Sequence, residues 1–220
     1  MAQFFQLHPD NPQTRLLRQA AQIIRLGGLA ALPTDSCYSL VCALDHKNAV
    51  ERLRRLKGIS EKQHLALLCR DLSALGNYAI VSNIQYRLLK AVTPGPYTFI
   101  LNATKEVPKR ISHPSKKSIG LRVPNHLVVQ GLLSELDEPL IASTLQLSHM
   151  DFPFQEAEVI RDTLEHELDL VLSDGRPCGL QSTTVIDWTT DEPKVLRLGA
   201  GPLVGPLEPV VVESKDLFSE

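Results

Sequence analysis

The sequence predicts one α/β domain: an open, twisted sheet of mixed parallel and antiparallel strands with flanking helices. Three observations carry this reading. Short apolar runs such as "LAALP", "YSLVCAL" and "PLIAST" recur along the chain, most of them separated by segments with the 3.6-residue apolar period of an amphipathic helix. The last two runs, "STTVIDW" and "KVLRLG", have no helical segment between them and read as an antiparallel pair. No fixed-period repeat, low-complexity tract or linker divides the 220 residues, a length that buries a substantial core.

Each element follows from its residues. Asn11-Pro12 reads as N-cap and first helical residue; Leu16, Leu17, Ala20, Ala21 and Ile24 then form one apolar stripe, and Gly27-Gly28 stops the helix. "LAALP" and "YSLVCAL" are short buried strands. "KNAVERLRRLKG" is a helix with Ala49, Val50, Leu53 and Leu56 inward, ending at Gly58, and "HLALLC" is another strand. Ser82 caps "NIQYRLLKAV", which stops at "TPGP", a segment that cannot stay helical. The strand "YTFILNA" follows. "SIGLRV", a helix over "HLVVQGLLSEL" and the strand "PLIAST" give a β-α-β sequence, and a helix over roughly 155–168 precedes "LDLVLSD". Residues 1–205 make the domain, and 206–220 read as a poorly anchored tail.

Composition excludes several classes. No apolar run approaches the roughly 20 residues of a membrane span, and "MAQFFQLHPDNPQ" lacks the basic-then-apolar order of a secretory signal, so the expected location is cytoplasmic. Cys37, Cys42, Cys69 and Cys178 form no CxxC pair, and the seven histidines form neither HxH nor HExxH, so no metal site is expected. Charge is segregated: residues 1–125 carry 18 Lys+Arg against 7 Asp+Glu, and 126–220 carry 5 against 18. That asymmetry fits either a basic face for phosphates or RNA, or halves interleaved by the fold.

Polar clusters occur where strands end: Thr34 to Tyr38 after "LAALP", Ser143-Thr144 after "PLIA", and Ser182 to Thr184 heading "STTVIDW". Arg122 and Arg197 lie within otherwise apolar strands, where a buried guanidinium needs an anionic partner. One such arginine is more often paired with an Asp or Glu. Two of them beside hydroxyl-rich strand ends point to an anion-binding cavity at the sheet edge. GxxxxGK[ST], GxGxxG and GxSxG are absent, so cations and hydroxyls would have to hold any phosphate. Two basic stretches stand out: "RLRRLKG", with Arg52, Arg54, Arg55 and Lys57, and "KEVPKRISHPSKKS", with Lys105, Lys109, Arg110, Lys116 and Lys117. Each also fits a solvated helix face or loop. Neither interleaves aromatics, so RNA contact there would run through phosphates.

In order, these stretches resemble the YrdC/YciO family, the threonylcarbamoyl-AMP synthases and their paralogues. "ALPTDSCYSLVCA" resembles the family's PTET-x-YGLG segment, "TPGPYTFIL" its WPGPxT, and "IGLRVPNH" its strand with a substrate arginine. "PLIASTLQ" resembles STSAN, "STTVID" the STV segment, and "VLRLGA" the LRPG segment. The match spans roughly residues 3 to 201. "FFQLHPDNPQ" and "CRDLS" are most similar to the YciO branch.

The resemblance implies an open α/β sheet around a large basic cavity. It implies synthesis of threonylcarbamoyl-adenylate from L-threonine, bicarbonate and ATP, with Mg²⁺ and release of pyrophosphate, for later transfer to a tRNA adenosine. Association with double-stranded RNA is implied as well. Carried over, Thr34 and Tyr38 line the threonine and nucleotide site, Arg122 holds the threonine carboxylate and Thr183 faces threonine. Ser143 and Thr144 touch the nucleotide, and Lys57 and Arg197 contact the phosphates as the catalytic cations. RNA would be held by Arg55, Lys109, Arg110, Lys116 and Lys117.

Two motifs depart from the synthases. Their K-x-R is Lys57-Gly58-Ile59 here, and their S-x-N is Thr144-Leu145-Gln146. A two-residue slip would pair Arg55 with Lys57 instead. Loss of a phosphate-site guanidinium costs about 2–4 kcal/mol of transition-state stabilisation, a rate factor of roughly 30 to 1,000. Two readings therefore stand: a weak synthase or nucleotide-binding relative, and a non-catalytic double-stranded RNA or tRNA binding protein using the same basic cavity.

Overall fold

The computed structural model describes residues 1–60, 63, 65–108, 111, 117–203 and 207, and the backbone of Val211–Val212. In chain order the elements are β1 (Gln3–Gln6), α1 (Thr14–Arg25), β2 (Ala30–Leu32), β3 (Ser39–Ala43), α2 (Lys47–Lys57) and β4 (Ala66–Leu68). Then come α3 (Leu72–Tyr78), α4 (Asn83–Val92), β5 (Tyr97–Asn102), β6 (Ser118–Arg122), α5 (Leu127–Leu136) and β7 (Leu140–Thr144). The chain continues through α6 (Ala157–Leu164), β8 (Leu170–Ser173), β9 (Thr184–Asp187), β10 (Lys194–Arg197) and β11 (Val211–Val212).

All the strands join one sheet in the order β1-β8-β2-β3-β7-β4-β6-β5-β9-β10-β11. The pairing is mixed, as expected: β1 with β8 and β4 with β6 run parallel, while β3 with β7 and β9 with β10 run antiparallel. The β6–α5–β7 segment does not close a parallel pair. β4 lies between its strands, parallel to β6 and antiparallel to β7, so α5 returns the chain across the sheet instead.

The short strands are apolar on both sides because both faces are covered. On β2, β3, β7 and β8 successive side chains alternate between two cores. Ala30, Leu32, Val41, Ala142 and Leu172 meet α1 and α5, whereas Ala31, Leu40, Ile141 and Val171 meet the core that α2, α3, α4 and α6 close. The α1 stripe is buried as read, through Leu17, Ala20, Ala21 and Ile24. Its start is later than expected, at an N-cap of Gln13, because the preceding loop closes on itself. His8 Nδ1 accepts the amides of Asp10 and Asn11, and the Gln13 side chain accepts that of His8. At α4, Ser82 and Gln85 form a reciprocal capping box.

Three elements went unread in the sequence. β1 is a four-residue edge strand, α3 has only seven residues, and β11 pairs its backbone with β10. With Leu207 fully buried, the sheet extends past residue 205 into the segment expected as a tail. α6 is shorter than the expected 155–168.

The alternation also places the candidate site. The core under α1 and α5 draws on β8, β2, β3, β7 and β4, and among the described residues no strand residue from β6 onward contributes to it. On that continuation polar side chains stand among apolar ones such as Ile100 and Val185. Val185 is paired with both Thr98 and Arg197, and the Phe99–Leu121 pair, continued by one residue, brings Thr98 opposite Arg122. Paired residues share a face, so Arg122, Thr98, Thr183 and Arg197 stand on one side of the sheet.

Candidate functional site

Arg122 is 5% exposed, and one of its nitrogens, Nη2, donates to Thr34 Oγ1 at 3.0 Å, to Ser36 Oγ at 3.1 Å and to Asp35 Oδ1. The loop after β2 is built to present those acceptors. Thr34 Oγ1 donates to the Cys37 carbonyl at 2.6 Å and accepts the Ser36 amide at 3.2 Å, which fixes a tight polar turn. Asp35 Oδ2 accepts the Asn125 amide at 3.0 Å, tying this turn to the segment after β6. Nε of Arg122 is buried without a partner among the described residues.

Arg197 is held differently. Its Nε and Nη2 donate to the Thr183 carbonyl at 3.1 and 3.0 Å, and Nη2 also reaches Thr183 Oγ1, which bonds Thr98 Oγ1 at 2.8 Å. Gly199 makes this possible: a Cβ there would lie 2.1 Å from the Ser182 carbonyl oxygen. Lys57 ends α2, where Gly58 in the left-handed region (φ 65°) closes the helix, and its Nζ donates to the Gln146 carbonyl. Burial, with Arg197 as a neighbouring cation, pulls the Lys57 ammonium down to about 8. Burial, with Arg122 nearby, lowers Arg197 too. Three cations thus converge, and among the described residues only Arg122 of the three has a carboxylate at salt-bridge distance.

Beside them lies a cavity of about 410 Å³, walled by Thr34, Asp35, Ser36, His126, Asp174 and Cys178. His126 takes the N-cap position of α5, yet its side chain does not cap the helix; Nε2 approaches Asp174 Oδ2 at 3.4 Å and Nδ1 is buried without a partner among the described residues. Burial lowers the His126 pKa and lifts the Cys178 thiol to about 12, leaving both uncharged at neutral pH. Sequence reasoning missed His126, Asp174 and Cys178. Asp174 follows a strand end, as Thr34 does, and that was the available signal.

Of the residues expected here, Thr34, Arg122, Thr183, Arg197 and Lys57 come together. Thr144 joins them at the end of β7, its Oγ1 4.0 Å from Cys37 Sγ. Tyr38 does not: it is fully buried on the other face, donates to the Leu172 carbonyl at 3.3 Å, and burial raises its phenol well above the ordinary value. Strand alternation sent it away from Thr34. The same rule separates Ser143 from Thr144, because Ser143 pairs with Leu40 on the opposite face.

The departures from the synthase motifs have structural counterparts. Ile59 packs on the apolar core. Gln146 donates its amide to the Met150 and Asp151 carbonyls at 2.9 and 3.2 Å, closing its own loop. Arg55 is exposed on α2, so the slipped pairing does not restore a second cation beside Lys57. "RLRRLKG" is not one basic patch. Arg52 pairs with Asp169 at 2.8 Å, and Arg54 is buried against the Ser60 and Gln63 carbonyls. Lys117 is exposed, and Lys109, Arg110 and Lys116 lie outside the described residues. The fold offsets part of the charge segregation, since Arg18–Glu135, Arg52–Asp169 and Arg70–Asp137 each join the basic half to the acidic one.

Known proteins resemble this chain in sequence and fold. The family model Sua5_yciO_yrdC, described as telomere recombination, matches residues 22–199. The chain is 47% identical over 201 residues to YciO of Escherichia coli (strain K12), covering 91% of this chain and 97% of that protein. It is 31% identical over 179 residues to the human threonylcarbamoyl-AMP synthase, covering 78% of this chain and 63% of the synthase. The E. coli YciO crystal structure superposes with a TM-score of 0.88 at 46% identity, covering 92% of this chain and 98% of that one. The P. abyssi Sua5 structure shares the fold at 24% identity, with a TM-score of 0.87 over all of this chain and 66% of its own. The expected relationship and the mixed α/β fold are both borne out: the chain belongs to the Sua5/YciO/YrdC family.

Proposed function

We propose that this chain binds ATP and a small amino acid and supports slow synthesis of an aminoacyl-carbamoyl adenylate, with L-threonine and bicarbonate as the other substrates and pyrophosphate as the second product. The observation that carries this reading is the convergence of Lys57, Arg197 and Arg122 with the hydroxyls of Thr34, Thr144 and Thr183. Lys57 feels Arg197 as a neighbouring cation, and among the described residues neither has a carboxylate at salt-bridge distance, an arrangement that is unfavourable until an anion arrives. A triphosphate supplies that anion, and Mg²⁺ enters as part of the substrate, held chiefly by phosphate oxygens and water. The carbamate carboxylate attacks the α-phosphorus, the bond to the bridging oxygen breaks and pyrophosphate leaves. The protein contributes positioning and charge compensation. Support also comes from the human synthase relative and from the P. abyssi Sua5 structure, described as a complex with L-threonine. The product would serve modification of a tRNA adenosine.

The apolar Ile59 in place of a second phosphate-site cation is the reason for expecting a slow rate. A double-stranded RNA or tRNA binding role for the same cavity has less behind it, because Asp35 and Asp174 put acid in its wall and Arg52 and Arg54 are engaged internally. The test is incubation with ATP, Mg²⁺, L-threonine and bicarbonate while pyrophosphate is followed. Release should depend on both threonine and bicarbonate and fall at least tenfold in Arg197→Ala. Threonine-independent release, or none together with no ATP binding at millimolar concentration, refutes the proposal.

A further inference from the structure

Arg122 already holds a carboxylate. Both two-pronged ways of seating a carboxylate on a guanidinium, side-on through Nε and Nη2 or end-on through Nη1 and Nη2, use Nη2. That nitrogen has two hydrogens, and three acceptors surround it here: Thr34 Oγ1, Ser36 Oγ and Asp35 Oδ1. Nε, which would complete the side-on fork, is buried and has no partner among the described residues. Asp35 is 11% exposed at its side chain, lines the cavity, and has its other oxygen on the Asn125 amide. The residue in contact with the cavity is therefore the acid, and the arginine stands behind it.

We propose that Asp35 is a resident competitor for Arg122, so that a ligand carboxylate docks there bidentately only by displacing it. This rests on the reading of an amino-acid site at Arg122, and it adds a specificity rule: the unliganded site discriminates against free carboxylates. With two hydrogens and three acceptors already around it, Nη2 has no hydrogen free for a second carboxylate, and like charges held at one guanidinium repel. Displacement costs Asp35 both its ion pair and its Asn125 bond. The cost is subtracted from the affinity of every carboxylate ligand and leaves phosphate ligands at Lys57 and Arg197 untouched. Asp35 is a specificity residue by this account, and it also neutralises a buried cation whose charge would otherwise destabilise the fold.

The test compares wild type with Asp35→Asn and Asp35→Ala, using L-threonine, L-threonine methyl ester and a non-hydrolysable ATP analogue as calorimetric probes. L-Threonine should bind at least tenfold more tightly to both variants, while the ester and the ATP analogue change by less than twofold. The unliganded variants should melt lower than wild type and show a larger rise on adding threonine. In the wild type, saturating threonine should shift the Asp35 side-chain carboxyl ¹³C resonance and speed hydrogen exchange at the Asn125 amide. Unchanged or weaker threonine affinity in the folded variants overturns the proposal. So does threonine binding to wild type with the Asp35 and Asn125 signals unmoved. Failure of the ATP analogue to bind any of the three proteins would instead remove the functional reading above.

Discussion

On the proposed function, Lys57 should make nucleotide binding proton-linked, and the size of the effect follows from its surroundings. In the free protein its ammonium titrates near 8 against an ordinary 10.5, because burial strips it of water and Arg197 repels it. A bound triphosphate restores a counter-charge and returns the group to its ordinary range, so binding above pH 8 must draw a proton from solvent. With pKa values of about 8 free and about 10.5 bound, the dissociation constant at pH 9.5 should be about 30-fold larger than at pH 7, or about 2 kcal/mol. Calorimetry of a non-hydrolysable ATP analogue at pH 7, 8 and 9.5, in buffers of different ionisation enthalpy, reads both the constant and the proton uptake. Lys57→Met should bind weakly at pH 7 with little pH dependence above it, and approach wild type at pH 9.5. In the absence of ligand the sign reverses. Between 8 and 10.5 the unfolded chain holds the proton that the folded one has lost, so stability relative to Lys57→Met rises across that window. A wild-type affinity flat from pH 7 to 9.5, or a slope shared by Lys57→Met, would refute the reasoning.

Other expectations concern the frame that holds the site. Gly199→Ala should abolish ATP-analogue binding by calorimetry, since its methyl would drive the Ser182–Thr183 backbone off the position where it receives Arg197. Leu132 is fully buried between α5 and the sheet, so Leu132→Ala should cost about 2–5 kcal/mol in urea unfolding. Ser82→Ala removes half of the α4 capping box and should cost about 1 kcal/mol by the same measurement, with ligand binding unchanged. Gln146→Ala frees the Met150 and Asp151 carbonyls and should raise amide exchange through residues 147–151, because the Gln146 amide spans that turn.

What the sequence settled alone was local. Apolar runs broken by helical periods require strands and helices wherever their chemistry sits, because backbone groups must be paired and each stripe must find a partner face. The α1 stripe, the Ser82 cap, the Gly58 stop and the antiparallel β9–β10 pair were all legible in this way. So were Thr34, Arg122, Thr183 and Arg197, since polar groups on buried strands lower stability unless something answers them. β1, α3 and β11 were not, being too short to show a period.

Tertiary structure decided which polar groups share a space. Successive residues of a strand point to opposite faces, so Tyr38 and Ser143, adjacent in sequence to site residues, lie across the sheet from them. Which basic residues stay unneutralised depends on neighbours distant in the chain: Asp169 meets Arg52, and Asp35 meets Arg122, while among the described residues no carboxylate reaches Lys57 or Arg197 at salt-bridge distance. Charge interacts through space and not along the chain, so a sequence can supply the cations, but only the folded sheet decides which of them remain to meet a ligand.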